Sequence, residues 1–268
     1  MVKQQRKLLK VTTNFYNMDI ENKYRVYKRQ VDSLHLLKLF NDFCNQEGIE
    51  WSADSGTLLG AIRHNGFIPW DDDIDIIISR KMWIKFQSVI SKSKKLVCFP
   101  ELWFYRVQES GQKSHAIADT PTIDVFIIDN APNSKLMRKL WANSCIFFQQ
   151  FMKPKPDGFH PFNFIWLRMY IFHFIGLITT HKWKFKLYQK FSIRWNKKPT
   201  KYCTSYGYLF KEVRMEYPAN LMEHLHLHQF EDIQIPIVDD YDICLSQMFG
   251  DYMTLPKEEN RVPRHTNF

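Results

Sequence analysis

The stretch from Gly66 to Ile78, GFIPWDDDIDIII, sets four carboxylates, Asp71, Asp72, Asp73 and Asp75, within five positions and runs straight into a row of isoleucines. Carboxylates about 4 Å apart repel by ~1 kcal/mol in water and by ~4 kcal/mol near a protein surface. A fold that places them at the mouth of an apolar strand must offset that repulsion, so positive charge is expected beside them. In an extended chain residues two apart share a face, which puts Asp73 and Asp75 together and sends Ile74 and Ile76 to the other side. Asp71 lies one more step along the same face, and Asp72 is expected to point away into solvent.

Outward from this run the chain alternates helical and strand-like patterns. Upstream, SGTLLGAIRHNG (Ser55 to Gly66) reads as a tight Ser-Gly turn opening a short helix that ends at Asn65-Gly66. The first N–H groups of such a helix, at Ser55, Gly56 and Thr57, suit a phosphate, with the macrodipole favouring the anion. Before it, IEWSA alternates like a short strand, and QVDSLHLLKLFNDFCN (Gln30 to Asn45) gathers Val31, Leu34, Leu37, Phe40, Phe43 and Cys44 on one helical face, with Gly48 as a stop. Downstream, Ile74 to Ser79 has the β-branched density of a buried strand, and RKMWIKFQSVISKSKK reads as a helix. LVCF, LWFYRV, HAIA and TIDVFII then look like strands, and the C-terminal part reads as a strand, a proline turn and a helix from Tyr241 to Met248 stopped by Gly250. The class is α+β, a mixed sheet flanked by helices.

In TIDVFII, Asp124 is flanked by Ile123 and Val125, an acid facing away from the apolar side chains of a core strand, and is the natural third acidic ligand. An all-oxygen set without histidine or cysteine suits Mg²⁺ or Mn²⁺. A lone D-x-D also fits a solvated acidic loop; an EF-hand is excluded because the run lacks its glycine and its twelfth-position glutamate. The Ser-Gly turn, the D-x-D strand and a third acid on a later strand together point to a nucleotidyltransferase-type phosphoryl-transfer site. Arg106, in WFYRV, has two open readings, a bidentate phosphate donor or a partner for a carboxylate. His224, His226 and His228 in HLHLH alternate along one strand, and three ligands from one flat strand rarely converge on a single ion.

At 268 residues and 45% hydrophobic, the chain has ample material for a core, and it reads as one domain over 1–268 that includes a basic helical block at 135–201. The five cysteines form no CxxC pair and suggest a reducing compartment. The basic N-terminus has no signal-peptide core, which places the protein in the cytosol. Between Lys135 and Lys201 there are 14 basic residues and one acidic residue, Asp157, so the block carries +13 and the remainder −4. Inside it, FNFIWLRMYIFHFIGLITT (162–180) falls short of a membrane span and contains Arg168 and His173. A helix lying in an anionic membrane interface and a core helix with a solvated lysine face both remain open. No nucleic-acid-binding motif accompanies the charge.

The segment SGTLLGAIRHNGFIPWDDDIDI (Ser55 to Ile76) resembles the signature of the LicD family, phosphorylcholine transferases of bacterial surface glycans related to fukutin and fukutin-related protein. FEDIQIPIVDDYDICLSQMFGDYMTLPKEENRVPRH (Phe230 to His265) resembles its C-terminal motif, with Phe249 where the family has tyrosine and Lys257 where it has a second proline. The resemblance implies a nucleotidyltransferase-like fold and transfer of a phospho-alcohol from a CDP-activated donor to a hydroxyl of a lipopolysaccharide, capsule or lipid-linked sugar. It implies Asp71, Asp73, Asp75 and Asp124 as metal ligands, Asp73, Asp75 and Asp124 as catalytic groups, and Gly56, Thr57 and Arg63 in the donor cradle, which the Ser55 helix start and, on its phosphate reading, Arg106 would join. It also implies work at the inner face of a membrane. Choline, ethanolamine, glycerol and ribitol all remain open as the alcohol. The competing readings are a nucleotidyltransferase that adds NMP to a small molecule and a non-catalytic membrane-associated scaffold.

Overall fold

The computed structural model describes residues 2–112, 120–153, 174 and 176–263. The strand expected at His115 to Ala118, and residues 162–173 of the apolar run, lie outside the described residues.

Two strands buried along their length form the spine. β2 (Ile74–Ser79) and β5 (Ile123–Ala131) pair in parallel, Ile74 opposite Ile123 and Ser79 opposite Ile128. Their apolar side chains, Ile74, Ile76, Ile77, Ile78, Ile123 and Val125, are buried, as expected for strands covered on both faces. On the outer side of β2 runs the two-residue β1 (Ser52–Ala53), antiparallel. On the far side of β5, β4 (Phe104–Glu109) covers its first half and β6 (Tyr202–Ser205) its second. β3 (Leu96–Glu101) and β7 (Tyr217–Pro218) complete the mixed sheet.

The connections fit local chemistry. α1 (Val2–Glu47) is longer than the expected helix and ends at Gly48, whose φ of 60° suits a glycine. Its buried face holds Leu36, Leu37, Phe40 and Cys44, whereas Val31 is exposed, because the helix buries only the stripe that meets the sheet. Phe40 packs edge-on against Trp51 and near Phe86 of α3 (Arg80–Ile90). α2 (Ser55–His64) ends in a left-handed cap at Asn65, whose N–H donates to Ala61, as the Asn-Gly pair predicts.

α4 (Lys135–Met152) and α5 (His181–Ser192) come from the basic block and pack on one another, Trp141 stacking on Phe191 with centroids 3.8 Å apart. The buried Lys184 ammonium donates to the carbonyls of Phe151 and Gly176, tying the end of α4 to the chain leading into α5. The C-terminal region corrects one expectation. In place of a strand and a proline turn there is a hairpin, β8 (Leu225–Phe230) and β9 (Ile233–Val238), turning at Glu231 (φ 51°) and Asp232, with Pro236 inside β9. α6 (Tyr241–Phe249) follows, ended by Gly250. No helix among the described residues is long and apolar enough to cross a membrane.

Candidate active site

β2 begins only at Ile74, so Asp71, Asp72 and Asp73 lie in the approach to the strand, and their side chains need not alternate. Each offers a carboxylate oxygen within 4.8 Å of the others. Asp72 is therefore not the solvent-facing member: it is 1% exposed and belongs to the cluster. Asp71 lies against Gly56, where a Cβ would collide with its Oδ2. The glycine of the Ser-Gly turn thus makes room for a carboxylate at the positive end of α2.

The strand register extends the cluster sideways. Asp75 on β2 is directly opposite Asp124 on β5, and Asp124 is directly opposite Arg106 on β4. Acid, acid and guanidinium stand in one row across three strands. Arg106 Nε donates to Asp124 Oδ1 at 2.7 Å and Nη2 to Oδ2 at 3.4 Å, while Nη1 lies 3.6 Å from Glu101. Of the two readings of Arg106, the geometry shows the carboxylate partner. Burial pulls down its pKa, but Asp124, Glu101 and Asp73 overcome this and hold it above its ordinary value.

A second cation comes from α1 and was missed from sequence, because no local pattern links it to residues some forty positions away. Arg29 is buried, donates through Nη2 to Thr120 O at 2.7 Å and through Nε to Asp72 O at 3.4 Å, and is attracted by Asp72 and Asp73. Its neighbour Gln30 donates to the carbonyls of Ile68 and Asp71. Together these two residues grip the acidic loop. The main chain of Asp75 is also clamped: its N–H donates to Thr57 Oγ1 at 2.9 Å, and its carbonyl accepts from Asp54 N at 3.0 Å.

The two arginines do not complete the compensation. Burial, and then Asp73, Asp124, Asp54 and Asp71, push the Asp75 carboxyl well above the usual carboxylate range. An oxygen-only cluster beside a carboxylate that is still repelled fits a hard divalent cation; the oxygens that converge are those of Asp71, Asp72 and Asp73, with Asp75 and Asp124 in the adjoining strand row.

Asp54 was also missed, although it immediately precedes the Ser-Gly turn. It is fully buried, accepts from Ser55 Oγ at 3.1 Å, and its Oδ1 makes no hydrogen bond of normal geometry. Burial raises its pKa from 3.8 to about 6, against the opposing pull of Tyr208 and Ser55. A raised carboxyl contributes stability that is complete below the unfolded value of 3.8 and is lost as pH rises through about 6. In metal-free protein, Asp54→Asn is expected to remove that loss, making the variant more stable than the parent by about 3 kcal/mol above this range and equal to it in acid. Urea unfolding across the pH range checks this; parallel curves would contradict it.

Other expected site residues fall elsewhere. Arg63 is at the opposite end of α2 from Gly56, roughly 10 Å along the helix, and donates to Tyr252 O at 2.6 Å. Ser55 and Gly56 open α2 beside the acids, while the Thr57 hydroxyl is committed to Asp75. His226 and His228 share a strand face but bind separately, His226 to Asp239 at 2.6 Å and His228 to the Ala61 carbonyl at 3.1 Å.

The site thus joins a Ser-Gly helix start, acids entering one central strand and a third acid on its parallel neighbour within a mixed sheet. The chain matches, over residues 48–159, the family described as LicD/FKTN/FKRP, nucleotidyltransferase domain. It is 28% identical over 275 aligned positions to the lipopolysaccharide cholinephosphotransferase LicD of Haemophilus influenzae, an alignment that covers 91% of this chain and 97% of that protein. Uncharacterized proteins of Rickettsia typhi and Rickettsia prowazekii are 35% and 33% identical over 39% and 41% of this chain, and over 31% and 39% of their own lengths.

Proposed function

We propose that this protein is a transferase that moves a phosphocholine-type group from a CDP-activated donor to a hydroxyl of a lipopolysaccharide or related surface glycan, with Mg²⁺ or Mn²⁺ as cofactor. The observation that carries the reading is the row Asp75, Asp124 and Arg106 beside the Asp71–Asp73 cluster. The near full-length likeness to a lipopolysaccharide cholinephosphotransferase supports the choice of transferred group and acceptor. The proposed place of action is the cytoplasmic face of the membrane that carries the acceptor.

In this reaction the acceptor oxygen forms a bond to the β-phosphorus, the bond from that phosphorus to the CMP oxygen breaks, and CMP leaves. A bound Mg²⁺ supplies neutralisation of diphosphate charge and a template for in-line geometry. The chain's own residues do the rest. Asp71, Asp73 and Asp75, with Asp72 beside them, would hold the cation. Asp124, its carboxylate plane fixed by Arg106, orients the acceptor hydroxyl and takes its proton. The N–H groups opening α2 at Ser55 and Gly56 are the anion-binding donors beside the acids.

Because the matched family is described as a nucleotidyltransferase domain, NMP transfer to the acceptor is the second reading. Mass spectrometry of a glycan acceptor incubated with a panel of CDP-alcohols separates the two. Gain of one phospho-alcohol is expected; gain of CMP would overturn the proposal in favour of the second reading, and no gain with any donor would overturn both.

A further inference from the structure

The outer face of α4 carries what a solvated helix avoids. Its inner face sets Arg138, Trp141, Cys145, Gln149 and Met152 into the protein, while Leu136, Leu140 and Phe147 return at helical spacing to the opposite side and are 66%, 51% and 36% exposed. At the end of the helix Gly176 packs against Phe151, which brings Leu177 and the 84% exposed Ile178 alongside. Apolar side chains therefore recur along this side of α4 for roughly 16 Å, Leu136 and Leu140 one turn apart and Phe147 beyond Asn143 and Ser144.

The strip is flanked by cations. Exposed Lys135 and Lys139 lie on α4 beside it, and Lys182, Lys186 and Lys190 are exposed on α5. A cavity of about 210 Å³ opens between α4 and the turn at Phe210–Arg214, with exposed Lys135, Lys139 and Arg214 and buried Ala142 and Val213 among its walls. Apolar walls under a cationic rim suit an amphiphile with an anionic head.

We propose that this face of α4 docks on an anionic lipid bilayer, with Leu136 and Leu140 entering the interface and Lys135, Lys139 and Arg214 gathering lipid phosphates at the cavity. Charge selects the occupant. Nine basic residues of 135–201, Lys135, Lys139 and Lys182 among them, are exposed among the described residues with no exposed acid in that segment, so a second copy of the chain would set like charges face to face, whereas an anionic bilayer is complementary. The inference rests on the proposed transferase only for its purpose, bringing the site to a lipid-borne acceptor; binding is read without turnover.

The test is co-sedimentation of the full chain with vesicles of phosphatidylcholine alone or of equal parts phosphatidylcholine and phosphatidylglycerol. The wild type is expected to bind the anionic vesicles at least about tenfold more tightly, an advantage lost in high salt. Lys135→Gln/Lys139→Gln is expected to weaken anionic binding roughly 20-fold. Leu136→Asp/Leu140→Asp is expected to abolish pelleting, with the circular dichroism melt and CMP release to a water-soluble acceptor unchanged. Failure of the wild type to pellet with anionic vesicles, or pelleting of both variants like the wild type, would overturn the proposal. So would light scattering that shows a wild-type dimer made monomeric by the aspartates. Vesicle binding without transfer would sink the function and leave docking intact; transfer without vesicle binding would do the reverse.

Discussion

Asp75→Asn is expected to lose transfer by roughly a thousandfold or more, the scale on which removal of a preorganised electrostatic group acts, while making the metal-free protein more stable. The two effects share one cause. Burial and the carboxylates of Asp73, Asp124, Asp54 and Asp71 all resist ionisation of Asp75, so the native state carries an unfavourable charge at neutral pH. A group with a raised folded pKa gives stability that is complete in acid and lost as pH rises. Asparagine keeps the shape and removes the charge, so the gain appears in neutral and alkaline buffer and vanishes in acid. Denaturant titration at both extremes, beside a CMP-release assay, reads the two together. Equal stability in neutral buffer would show that the repulsion is compensated within the protein and that the site has no need of a cation.

Arg106→Met is expected to have the largest effect on stability, a loss of about 3–5 kcal/mol from leaving a buried carboxylate without its partner. Arg106 and Asp124 are 12% and 10% exposed at their side chains, and the guanidinium donates to both oxygens of the carboxylate. The double variant Arg106→Met/Asp124→Asn is expected to recover much of the loss, because neither charge is then stranded. Both forms are expected to be inactive, the first because Asp124 is no longer held in plane and the second because it cannot take a proton. Urea unfolding of the two singles and the double measures the coupling; additive losses would remove Arg106 from the role given to it.

Much of this arrangement was legible in the sequence where the signals were local. The Ser-Gly start and Asn65 cap of α2, the isoleucine strand β2, the start of α3 and the acid in the middle of an apolar β5 each depend on residues within a few positions of one another. What failed was extrapolation beyond an element's end. Period-two alternation was carried into Asp71–Asp73, where the chain is not yet a strand, and this misplaced Asp72. Val31 was assigned to a buried face that begins in earnest only where α1 meets the sheet.

The rest depended on long-range pairing. The pairing of Arg106 with Asp124 follows from β4 lying antiparallel to β5 in a register that sets the two residues opposite each other. Arg29 reaches the acidic loop from the other side of the core. Arg63, close to Gly56 along the chain, is carried away by the length of α2 and meets Tyr252 instead. Nothing in the spacing of these residues announces such contacts, because the sheet order that creates them is not a local property.

The measurement that bears most directly on the account is CMP release from CDP-choline by the full chain with a lipopolysaccharide acceptor supplied, first after exhaustive chelation and then with Mg²⁺ restored. The account predicts no release in the chelated protein, recovery with Mg²⁺, and no recovery in Asp73→Asn. Full turnover in chelator, or Mg²⁺-restored turnover in Asp73→Asn equal to that of the wild type, would contradict it.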